Sequence, residues 1–201
     1  MSLTDRTHGR WPWAAAAAAV PVSVAVGRAR GGEADATEWL IRTALPALLW
    51  HQTEEWVWPG GFLPWFNREV VGSGEDEFPI TRAAGLVINT QIGWVLAEAA
   101  AARGMRSPAL GATALATNVA NAGMHLSLAA RRRRYNPGTA SSALLFAPLG
   151  LAGLVAVARD PRGGARPVLA GLGAGAATSV GILAVRRRRL NRRRARPAVP
   201  H

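Results

Sequence analysis

Residues 108–134 read PALGATALATNVANAGMHLSLAARRRR: an uncharged stretch, then four consecutive arginines. As a helix rising 1.5 Å per residue, the part before Arg131 extends roughly 35 Å, enough to cross a hydrocarbon layer about 30 Å thick. The pattern recurs outward in both directions. Residues 39–58, 83–102 and 140–158 are comparable apolar runs, and 167–185 is a Gly- and Ala-rich run with no charge. Residues 11–26 are shorter, Ala-rich and interrupted by Pro12 and Pro21. No cleavage-site pattern follows them, so they are read as a sixth crossing rather than a leader. The expectation is an all-α, polytopic transmembrane helix bundle of five or six spans. An N-terminal segment (1–38) precedes a core (39–158), a last span (159–185) and an Arg-rich tail (186–201).

Composition agrees with alternating segments. The chain has 201 residues, 49% of them hydrophobic, with 24 basic against 12 acidic side chains and no Cys. Every basic side chain is Arg. A mean hydropathy of +0.09 averages apolar runs with dense Arg clusters. The lack of Cys excludes disulfide frameworks, Cys-ligated zinc, iron–sulfur clusters and thiol catalysis.

Arginine also orients the chain. With six spans, one side carries Arg6, Arg10, Arg68, Arg82, Arg131 to Arg134 and the eight arginines between Arg186 and Arg196, sixteen in all. The other side carries seven, and Arg42 lies within a span. The expectation is a protein integral to the cell membrane, with its C-terminus cytoplasmic. A run such as Arg186–Arg196 can neutralise nucleic-acid phosphates. Directly after an apolar span it reads instead as an anchor that attracts anionic lipid headgroups. The expected partners are the bilayer and such headgroups, not nucleic acid. The loop 59–82, with Pro and Trp side by side, is expected to lie along the cytoplasmic interface.

Charged groups inside a span cost several kcal/mol unless paired, which makes them functional candidates. His51-Gln52-Thr53-Glu54-Glu55 lies near the end of span 39–58, whose start Asp35 and Glu38 mark as a capping box. His51 stands three and four residues before Glu54 and Glu55, so all three fall near one helical face. Pro46 removes a backbone bond just before them and is expected to kink the helix. Asn118, Asn121 and His125 share a face of the next-but-one helix, and Asn89 belongs to the helix between. Counted in helical rise, His51, Asn89 and His125 each lie roughly 10 Å inside the same membrane face. The remaining histidines, His8 and His201, fall in the tails.

His51-x-x-Glu54-Glu55 followed by Pro59-Gly60-Gly61-Phe62 resembles the HXXEE family of small integral membrane proteins. Residues 118–138 are similar to that family's second signature, with Asn121, His125, the basic turn and Tyr135-Asn136-Pro137-Gly138. The resemblance covers roughly residues 39–150. It implies a site at this cluster and no particular reaction.

Three chemistries suit these residues. His51, Glu54, Glu55 and His125 can supply nitrogen and oxygen ligands to zinc or iron in a membrane enzyme of lipid-like substrates, supported by Asn89, Asn118 and Asn121. Without metal, the same imidazoles and carboxylates can divide acid and base roles in an isomerase-like reaction. A carrier or proton-linked transporter would need the polar path to continue outward, for which Glu98 is the candidate.

Overall fold

The computed structural model describes residues 9–30 and 35–194. His8, His201, Arg6 and Arg196 lie outside the described residues. The described chain is helical, without strands. Helix α1 is Trp11–Arg30. Helix α2 covers 36–56 in two pieces, Ala36–Arg42 and Ala44–Trp56. A short α3 follows over 62–70. Helix α4 covers 82–103 with wide π-helical turns at Val87–Trp94. Helices α5 (Pro108–Arg132), α6 (Thr139–Arg159) and α7 (Ala165–Arg194) complete the chain. The six long helices coincide within a few residues with the six apolar runs, apart from an extended C-terminal end of α7. By length and hydropathy together, one helix among the described residues, Thr139–Arg159, reaches what a membrane crossing requires.

Local sequence explains the boundaries. Asp35 accepts a hydrogen bond from Thr37 N at 2.7 Å and starts α2. Pro46 has no N–H to return to Arg42, and α2 is interrupted there, at Thr43. Helix α1, by contrast, runs unbroken through Pro21. It lies antiparallel to α2. Trp11 packs on Trp56 at 4.9 Å, and at the other end Trp39 Nε1–H donates to Val26 O at 3.0 Å.

Ile41, Leu49, Ala97, Leu115 and Val157 are buried in the common core of α2, α4, α5 and α6. Helix α7 closes on α5 through Gly171 and Gly175. A Cβ at Gly171 would stand 2.6 Å from the Ala112 backbone, so a small residue at this i, i+4 spacing is what lets the two helices touch.

The segment within 59–82 turns its large side chains into the bundle. Phe62, Leu63, Trp65 and Phe66 are buried and pack with Ile80 beneath α2 and α5, because four large apolar side chains within five residues gain more from the bundle than from a polar boundary. Helix α7 continues through the start of the Arg-rich stretch, as far as Arg194. Arg193 pairs with Glu75 at 2.7 Å and lies over the Phe78 ring, so the acidic loop supplies partners that hold the helix.

Candidate metal centre

The interior is polar at one end of the bundle, where the last turns of α2 and α5 meet the start of α6. His51, Gln52, Glu55, Asn118, His125, Asn136, Ser141 and Ser142 are all buried there or close by. Glu55 Oε1 stands 3.3 Å from His51 Nε2 and 3.1 Å from His125 Nε2. One ligand atom from each of the three residues lies within 4.8 Å of the others, so this buried group can hold a metal ion.

The far side of each ring is already engaged. His125 Nδ1 lies 2.7 Å from Asn136 Oδ1, an oxygen that can only accept, so Nδ1 carries the proton. His51 Nδ1 lies 2.8 Å from Ser141 Oγ, and that hydroxyl points its own hydrogen at Gly138 O, 3.4 Å away. Asn121 Nδ2 approaches His51 Nε2 at 3.4 Å as a donor. In the neutral rings neither Nε2 therefore carries a hydrogen, although both stand beside Glu55, and His125 Nε2 is buried without an aligned hydrogen bond. Three electron-rich atoms facing one point repel unless a cation or proton lies between them. Ligands about 2.0–2.1 Å from a tetrahedral zinc stand about 3.3 Å apart, close to the two N···O spacings to Glu55.

Aromatic walls hold both rings. His51 stacks on Phe146 at 4.3 Å, and His125 on Trp65 at 5.3 Å. The backbone of Gly138 passes between them at φ +101°, and a Cβ there would stand 2.7 Å from Cε1 of both imidazoles. Only glycine satisfies the backbone angle and the space together.

Glu54 turns elsewhere. Its carboxylate accepts from Ala140 N at 2.9 Å, Ser141 N at 2.6 Å and the Tyr135 hydroxyl at 2.8 Å. It thus caps the positive end of α6. Adjacent glutamates diverge because successive helical residues point about 100° apart. Glu54 and Glu55 therefore do different work: one anchors the helix that carries Ser141, the other faces the histidines.

The supporting asparagines separate too. Asn118 Nδ2 donates to Ala44 O at 3.2 Å, beside the break that precedes Pro46. Asn89 reaches the site through a residue the sequence reading passed over. Gln52 Nε2 donates to Asn89 Oδ1 at 3.1 Å, and Gln52 Oε1 accepts from Trp94 Nε1 at 2.7 Å. Ser141 and Asn136 were likewise not anticipated as ring partners, although Asn136 lies inside the Tyr135–Gly138 signature. Glu98 is exposed on α4 and does not join the cluster.

A cavity of about 230 Å³ adjoins Glu55, Asn89, Asn118 and Asn121 and is otherwise mostly apolar. A family described as a protein of unknown function with an HXXEE motif matches residues 42–152. The chain belongs to the HXXEE family. Its HXXEE motif is His51-x-x-Glu54-Glu55, and the matched region also contains His125, Asn136, Gly138 and Ser141. No curated protein and no solved structure matches the chain.

Proposed function

We propose that this HXXEE protein is a six-span membrane enzyme whose His51–Glu55–His125 set binds one zinc or iron ion and acts on a lipid-like substrate. The observation that carries the reading is the convergence of two unprotonated imidazole Nε2 atoms on one buried carboxylate oxygen, with both Nδ1 atoms committed behind them. Two imidazoles and one carboxylate leave coordination positions free, as catalytic zinc and non-haem iron need. A metal in such a site polarises a carbonyl or phosphoryl oxygen, or activates water. Asn136, Ser141 and Asn121 orient the rings, and the adjoining cavity gives an apolar substrate access.

The membrane setting is supported by an inside-out distribution of polarity. Leu144, Leu151, Val155, Leu169 and Val180 face outward from α6 and α7, while the amides and imidazoles face inward. Helices of 20 residues or more span about 30 Å. The arginine asymmetry supports a cytoplasmic C-terminus, and six spans would then put the N-terminus on the same side, with the site in the cytoplasmic half and the Arg clusters against anionic headgroups.

One observation favours a second reading. The two N···O distances also suit a shared proton, so the cluster can work as a metal-free acid–base pair. The test is turnover of a mixed lipid substrate set by purified protein before and after chelator treatment. Activity lost on stripping and restored by zinc or iron supports the metal enzyme; activity indifferent to stripping supports the acid–base reading. Reporters fused at each terminus test the topology, and an external N-terminus contradicts six spans.

A further inference from the structure

Arg186 and Glu55 are the two charged residues lining the cavity, and only Glu55 is engaged by the histidines. Several arginines around this end have carboxylates: Arg132 and Arg134 reach Glu69, Arg82 reaches Glu77 and Arg193 reaches Glu75. Arg186 has none. Its half-buried guanidinium lies over the Phe66 ring, 4.6 Å from the centroid, and feels Glu55 without pairing with it. A long arginine side chain on a helix surface ordinarily extends outward to water. This one turns inward and stays cationic, since guanidinium does not lose its proton in proteins. The cavity is also lined by the apolar side chains of Leu48, Ile88, Ile92 and Leu96, from α2 and α4.

We propose that the cavity receives a single-chain amphiphile with one anionic head, a carboxylate or phosphate, bound by Arg186, its apolar body lying along α2 and α4. The inference rests on the reading of the site as a lipid-acting centre and adds the class of substrate. The head group would satisfy the cation that lines the cavity without a carboxylate partner, next to the histidine cluster. A cavity of about 230 Å³ is many times what one water needs, so a chain segment fits.

The test uses nitroxide-labelled stearic acid and its methyl ester as quenchers of tryptophan emission, since Trp56 lines the cavity. The acid is expected to bind at least about tenfold more tightly than the ester, as a charge-assisted contact requires. Arg186→Gln should abolish the preference and Arg186→Lys should keep most of it. Equal binding of acid and ester to the unaltered protein overturns the inference, and so does a preference that survives in Arg186→Gln. The acid–ester comparison carries the test alone if that variant does not fold. Displacement by oleate identifies a carboxylate head and displacement by lysophosphatidate a phosphate head. Displacement by inorganic phosphate alone contradicts the amphiphile. Metal content of the same samples separates the two claims: acid preference without metal upholds this inference and sinks the metal enzyme, and metal without acid preference does the reverse.

Discussion

His125 and Asn136 clasp each other twice: His125 Nδ1–H donates to Asn136 Oδ1 at 2.7 Å, and Asn136 Nδ2 returns a bond to the His125 carbonyl at 3.0 Å. The clasp fixes the ring's rotation and its tautomer, leaving Nε2 bare toward Glu55. Partners behind a ligand of this kind are worth about 10–100-fold in metal affinity. Asn136→Ala is therefore expected to weaken zinc binding by about that factor in competition with a chromophoric chelator, with helicity unchanged. Unaltered affinity would remove Asn136 from the account.

Gly138 gives a steric test of the same centre. Gly138→Ala places a methyl group 2.7 Å from both imidazoles and demands positive φ of a non-glycine residue. The rings must separate, so the variant should lose metal and unfold at a lower temperature. Gly123→Ala, where a Cβ meets nothing within 4 Å, is the control and should keep both.

Tyr135 is the single tyrosine of the chain, which makes its ionisation directly readable by tyrosinate absorbance. Partial burial, the hydrogen bond to Glu54 and the nearby carboxylate charge push its hydroxyl above the ordinary 10.0. A raised folded-state value means that the contribution to stability is complete below pH 10 and fades as pH rises through the folded value. The ring is half exposed, so solvent trims the effect. Titration should show late ionisation, and Glu54→Gln should bring it earlier while metal stays bound. Loss of metal in Glu54→Gln would show that Glu54 acts on the centre after all.

Gln52 tests the brace between α2 and α4. Gln52→Leu leaves Trp94 Nε1–H without its acceptor and Asn89 without its donor. The expected cost is about 1–3 kcal/mol of stability in detergent-based unfolding, with metal content retained. A variant of unchanged stability would contradict the brace.

Much of this was legible in the sequence. The apolar runs, most of them ended by arginines, locate six helices within a few residues, because both features obey one-dimensional rules of length and charge. His51 and His125 stand out because they are the histidines within apolar runs, and helical rise sets them level with each other. What periodicity cannot resolve is direction within a turn. Glu54 and Glu55 look equivalent beside His51, and only the position of α6 shows that one caps a helix and the other faces the rings. Long-range partners are hidden for the same reason: His51 to Ser141 spans ninety residues. Segment 62–70 reads as interfacial because Trp and Pro favour that setting, whereas packing against His125 and Ile80 draws it inward.

The most direct test of the central claim is metal content by mass spectrometry of the detergent-purified protein, beside His51→Ala, His125→Ala, Glu55→Gln and Glu54→Gln. The account predicts close to one zinc or iron per chain, lost in the first three variants and kept in Glu54→Gln. A folded wild-type protein that binds no metal even after incubation with zinc or ferrous iron would contradict it.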